Sequence, residues 1–121
     1  MGVLREVLSK LVRGPLTEDF PRKPSPAPEG YRGRHELDPS ACLYLRYGIC
    51  RSCEWVCPSS AISLGEEDGV RVWRVDLGRC IFCAMCQEVC PTLSIRLTPV
   101  YELSSTDREA IVLEWRSEHA S

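Results

Sequence analysis

The stretch RCIFCAMCQEVCP, residues 79–91, places cysteines at 80, 83, 86 and 90 and a proline at 91. A second stretch, RYGICRSCEWVCP at 46–58, carries the same pattern 33 residues upstream. Cys50 aligns with Cys83, Cys53 with Cys86, Cys57 with Cys90, and Pro58 with Pro91. The register fails once, because Tyr47 stands opposite Cys80. With Cys42 the chain has eight cysteines in 121 residues, a density that an ordinary core does not need. What those thiols hold decides the fold.

Soft, anionic thiolates at this spacing suit an iron–sulfur cube. C-x2-C-x2-C wraps one short loop around three corners, x3 leads to a fourth cysteine that points away, and proline turns the backbone. C-x2-C-x2-C-x3-C-P is the run found in bacterial two-cluster ferredoxins, where the fourth cysteine ligates the other cluster. That exchange assigns Cys57, Cys80, Cys83 and Cys86 to cluster two, and Cys50, Cys53 and Cys90 to cluster one. The open corner of cluster one goes to Cys42, eight residues before Cys50. The intervening LYLRYGI is a five-residue insertion relative to the second half, and loop closure grows only slowly more costly with length. Alternatives remain open at this point. Cys42 as a free buried thiol would leave a three-iron cluster or one with a non-cysteine ligand. All eight thiolates could instead hold two zinc ions, although zinc ribbons use separated C-x2-C pairs and need no repeated Cys-Pro.

Disulfides are the other use for an even cysteine count. Against them, MGVLREVLSKLVRGPL at 1–16 is interrupted by Arg5, Glu6, Lys10 and Arg13 and lacks the apolar core of a secretion signal. There is no run of about 18 apolar residues to span a bilayer. A reducing interior, where clustered thiols bind metals, is the expectation. The chain is 44% hydrophobic and 26% charged with a formal charge of −2, a globular composition with room for one domain plus extensions. Its scattered arginines form no phosphate-tracking stripe, which argues against nucleic-acid binding.

Working outward, Val3, Leu4, Val7, Leu8, Leu11 and Val12 form one stripe of an amphipathic helix that Gly14-Pro15 ends. A Pro-rich strap follows, FPRKPSPAPEGYRG at 20–33, stiff and extended. Helix and strap read as an arm docking on another subunit, since the stripe needs cover; the plainer alternative is a flexible leader. In the duplicated core, each Cys-Pro leads to a short strand, AISL at 61–64 or SIRL at 94–97. GVRVWRVDL at 69–77 reads as a further strand, with Gly65–Gly69 as the turn before it. TDRE at 106–109 is a capping-box pattern, so a C-terminal helix through AIVLEW with a frayed polar end is expected. The division is 1–36 arm, 37–98 two-cluster domain and 99–121 helical extension.

Ile49, Trp55, Val56, Ile62, Ile81, Phe82, Met85, Val89, Leu93 and Ile95 are expected to wall the clusters off from water. Arg46 and Arg51 flank the first site, where positive charge would raise a potential. His35 and His119 read as solvated. There is no phosphate loop, nucleophile motif or nicotinamide fingerprint, so the chain by itself is not an enzyme and has no catalytic residue.

YRGRHELDPSAC at 31–42, the duplicated cysteine core and CPTLSIRLTPVYELSSTDREAIV at 90–112 resemble the two-cluster ferredoxin-like subunit of complex I. They look still more like its small relatives in group 4 membrane-bound nickel–iron hydrogenases and formate hydrogenlyases. The resemblance implies an α+β, duplicated bacterial-type ferredoxin fold with two 4Fe–4S clusters, in the cytoplasmic peripheral arm of a membrane-bound complex. It implies electron relay toward the large catalytic subunit, beside a small cluster-bearing subunit. Tyr47, with Cys42 upstream, is the departure from the family's pattern. The shortness of the chain tips the reading to a hydrogenase relay. The alternatives are the same relay in a quinone or sulfur oxidoreductase, and a free-standing soluble ferredoxin.

Overall fold

The duplication in the cysteines extends to the backbone that carries them. The computed structural model describes residues 2–117, and helices α3 (Ser52–Val56) and α4 (Met85–Val89) sit at the same 33-residue offset as the thiols. Each stops at an extended cysteine, Cys57 or Cys90, because a residue before proline is driven out of the helical region. Two residues past each proline the chain turns through a left-handed residue, Ser60 at φ 51° and Leu93 at φ 53°. Leu64 N–H then donates to Glu54 Oε1 at 3.1 Å, and Leu97 N–H donates to Gln87 Oε1 at 3.0 Å. The halves match down to single hydrogen bonds.

The inserted segment is a helical turn rather than an open loop. Cys42 caps the start of α2 (Leu43–Tyr47), and Gly48 closes it at φ 75° with its N–H on Tyr44 O. Glycine takes that left-handed cap without a Cβ clash. Tyr44 and Leu45 are buried, which anchors the turn.

Strands β2 (Ile62–Glu67) and β3 (Val70–Asp76) form an antiparallel hairpin. Asp68 and Gly69 join them at φ 52° and 78°, the pair of positive angles that a two-residue hairpin turn demands. The turn is therefore shorter than the expected Gly65–Gly69, since Gly65, Glu66 and Glu67 pair with Val72, Arg71 and Val70.

The C-terminal segment departs from the sequence reading. In place of a helix there is a single 3-10 turn, Glu109–Ile111, and then strand β5 (Val112–Arg116) on the free edge of β3. The TDRE pattern is a local signal worth about 1 kcal/mol. It is outweighed by an open strand edge and by Val112 and Trp115, which favour a pleated surface. Trp115 packs edge-on against Trp73 with ring centroids 5.3 Å apart. The polar end expected beyond this, at 118–121, and His119 with it lie outside the described residues.

A second, two-stranded sheet pairs β1 (His35–Leu37) with β4 (Ile95–Leu97), so the paired core begins at His35. Gly33 precedes it at a close approach, where a Cβ would run into the carbonyl oxygens of Thr98 and Val100. Leu37, Leu45, Ile62, Leu64, Trp73, Val75 and Ile95 form the core that backs the cysteine loops.

Helix α1 (Gly2–Val12) buries none of its residues. The strap is tied to the body at Tyr101, whose hydroxyl donates to Ser25 O at 2.8 Å and whose ring faces Phe20 and Tyr31. Among the described residues no helix is long and apolar enough to cross a membrane.

Candidate metal centres

Both cysteine loops face inward around cavities. One is lined by Cys42, Cys50, Cys53 and Cys90. The other is lined by Cys57, Cys80, Cys83 and Cys86. The chain thus crosses over: the last cysteine of each half faces the cavity of the other half. Among the described residues, no three His, Cys, Asp or Glu side chains are placed to hold a single metal ion. Eight unbridged thiols, four around each of two cavities, are the donor set that two four-iron cubes need.

The donors around the sulfurs fit the same guest. Ala61 N–H donates to Cys57 Sγ and Ser94 N–H to Cys90 Sγ, both at 3.3 Å, again 33 residues apart. Ser94 Oγ lies 3.0 Å from Cys90 Sγ, and Phe82 N–H donates to Cys80 Sγ at 3.3 Å. Trp73 Nε1–H donates to Cys53 Sγ at 3.4 Å. Hydrogen bonds to the sulfurs are one of the protein's levers on cluster potential.

The thiols divide by environment. Burial pushes the Cys57 and Cys90 thiols up, but the N–H and hydroxyl groups around them outweigh it, and both end below the ordinary value. Burial prevails at Cys53, where the Trp73 N–H offsets only part of it, and at Cys80. At Cys86 it drives the thiol up to about 12. Metal ligands must be thiolates, so if Cys86 held a cluster its proton would be lost on binding.

Three expectations need correcting here. His35 is not solvated: it is 2% exposed on β1, with Nε2 3.8 Å from Cys80 Sγ. Burial pushes its pKa down, and its Nδ1 has no partner among the described residues. The alternation that buries Leu37 beside exposed Glu36 was the signal available in the sequence, because it puts His35 on the inner face.

The apolar wall is only partly as expected. Ile62, Ile81 and Met85 line the second cavity and Ile95 the first, but Ile49, Trp55, Val89 and Leu93 are exposed, Trp55 by 80%. Finally, Arg51 is committed elsewhere, its guanidinium donating to Glu54 Oε2 at 3.0 Å and to Leu64 O at 3.1 Å. Its charge is locally compensated. Arg46 donates to Ser40 O. Trp73, a strand residue with no cysteine near it in sequence, reaches a sulfur through its indole N–H.

The family profile described as a 4Fe-4S dicluster domain matches residues 48–93. NADH-quinone oxidoreductase subunit I 2 of Geobacter metallireducens is 32% identical over 122 residues, covering 90% of this chain and 87% of that protein. NAD(P)H-quinone oxidoreductase subunit I of Gloeobacter violaceus is 31% identical over 118 residues, covering 92% of this chain and 53% of that protein. Among solved structures, a chain of the membrane-bound sulfane sulfur reductase, an archaeal respiratory membrane complex, is 34% identical with a TM-score of 0.64. That match covers 86% of this chain and 55% of the other, so the chain spans about half the length of these last two relatives.

Twin cysteine-ringed cavities on a duplicated core, within a dicluster domain, define a ferredoxin-type protein whose cofactors are two 4Fe–4S clusters. The chain belongs to the NADH-quinone oxidoreductase subunit I family.

Proposed function

We propose that the protein is an electron-relay subunit of a complex-I-like, membrane-bound oxidoreductase. In this reading Cys42, Cys50, Cys53 and Cys90 hold one cluster and Cys57, Cys80, Cys83 and Cys86 hold the other. The observation that carries it is the crossed arrangement of two cysteine quartets, one around each of two cavities. Sharing ligands across the duplication ties both clusters into one rigid unit, which suits passing electrons from one to the next. Each bound cluster supplies one-electron redox chemistry; the chain supplies the thiolates, the N–H donors and the fixed spacing. No catalytic group is assigned to the chain itself.

Two further features favour a subunit over a free shuttle. The exposed apolar residues sit on the cysteine-bearing segments, with Ile49 and Leu93 at 74% and 76% exposure beside Trp55. Exposed apolar surface of this kind marks a contact surface. Helix α1 likewise presents Val3, Leu4, Val7, Leu8, Leu11 and Val12 to its surroundings. The partners proposed are the catalytic large subunit and small cluster-bearing subunit of a peripheral arm, which would hold the protein at the cytoplasmic face of the membrane.

The relatives above act in quinone and sulfane sulfur reduction by their names, which favours that branch over the hydrogenase relay. Chain length does not favour hydrogenase, because the chain spans 87% of a relative named as a quinone oxidoreductase subunit. Affinity purification from membranes of the native host, with the partners identified by mass spectrometry, tests the assignment. A quinone-site or sulfur-reductase subunit is the expected companion, and a nickel-bearing large subunit would return the reading to hydrogenase. Deleting residues 1–30 should cut recovery of partners at least about tenfold, the loss of roughly 1.4 kcal/mol of binding, while leaving iron content unchanged. Unchanged recovery would point to a free-standing ferredoxin.

A further inference from the structure

Trp73 lies on β3 at 0% exposure. Its indole has a single N–H, and a buried donor goes unpaired only at a cost. The acceptor is Cys53 Sγ, 3.4 Å away and itself buried. Trp115 packs edge-on against the indole at 5.3 Å, and the β2 and β5 ladders fix the backbone on both sides of Trp73. The donor is therefore held in place.

The repeat shows what is special about this contact. Cys53 aligns with Cys86, and the N–H contacts to Cys57 and Cys90 recur in both halves at the same 3.3 Å. The indole contact does not recur. Among the described residues no side-chain N–H reaches Cys86 Sγ. Cys53 has a side-chain donor that its counterpart Cys86 lacks.

Reduction adds one electron to a cluster and no proton; no bond forms or breaks, and the added negative charge spreads onto the sulfurs. A donor aimed at a ligand sulfur holds the reduced form more tightly than the oxidised form, which raises the potential. Low surrounding dielectric strengthens the effect. We infer that Trp73 is a tuning residue, its indole N–H on Cys53 raising the reduction potential of the cluster held by Cys42, Cys50, Cys53 and Cys90 relative to its twin. This rests on the proposed role of Cys53 as a ligand.

The test uses the full-length chain carrying both clusters, titrated without oxygen and followed by electron paramagnetic resonance. Trp73→Phe removes the donor. At fixed solution potential the reduced-to-oxidised ratio of that cluster falls about tenfold, a downward shift of about 59 mV for a one-electron couple. The other cluster stays where it was. Trp115→Phe, which alters the packing but removes no N–H from a sulfur, leaves both potentials unchanged.

Replacing Trp73 by benzothienylalanine keeps the fused ring and removes only the N–H; the same downward shift is expected. An unshifted potential in this isostere overturns the inference, even where Trp73→Phe shifts it or fails to fold. Equal shifts of both clusters overturn it too. Cys53→Ser separates the two layers of the argument. If it leaves both clusters intact, the ligand assignment has failed. If it alters one cluster while the Trp73 variants change nothing, only the tuning role has failed.

Discussion

Cys42→Ser removes or transforms one cluster and leaves the other untouched. Iron content falls by about half if the cluster is lost, or by about one atom per chain if it survives in a three-iron form. The size of the effect follows from the donor. Iron–sulfur clusters select soft thiolates, and a serine oxygen is a hard and poorly ionised substitute. Cys42 is 7% exposed at the N-terminal cap of α2 and lines the same cavity as Cys50, Cys53 and Cys90. No other cysteine is left to fill that corner, since the remaining four line the second cavity. Iron analysis with electron paramagnetic resonance checks this. If both are unchanged, Cys42 is a bystander thiol and the cluster has another fourth ligand.

Cys57→Ser and Cys90→Ser give the second large effect, and its direction runs against sequence order. Cys57 belongs to the first half of the duplication but faces Cys80, Cys83 and Cys86, so its loss should abolish the cluster of the second half. Cys90 belongs to the second half but lines the cavity of the first, so its loss should abolish the other cluster. Both thiols sit below their ordinary pKa because N–H and hydroxyl groups outweigh burial. Their removal also leaves the Ala61 and Ser94 N–H groups without their sulfur acceptors. Each variant should lose about half of the iron and one of two distinguishable resonance signals. If Cys57→Ser and Cys53→Ser removed the same signal, the ligands would not be exchanged.

The cysteine core was legible in the sequence because the guest dictates it. A cube of fixed size demands thiols at fixed intervals, and that demand survives an insertion such as LYLRYGI, which merely adds one helical turn closed by Gly48. The strands after each Cys-Pro were legible for the same reason, as the duplicated chain repeats its path. The tail was not. TDRE promises a helix to its own neighbourhood, whereas β5 is decided by an edge of β3 more than 35 residues away. His35 and Trp73 show the same blind spot: a cysteine motif announces ligands, but not which distant ring will reach their sulfurs. The apolar residues of the loops misled because hydrophobicity says that a surface wants cover, without saying that the cover belongs to the same chain.

Quantifying metal and acid-labile sulfide in the full-length chain, purified without oxygen, tests the central claim most directly. Two clusters of four iron each give two times four, or eight, iron atoms and as many sulfides per chain, in a brown protein bleached by dithionite. A colourless protein with about two zinc ions and no labile sulfide would contradict the account.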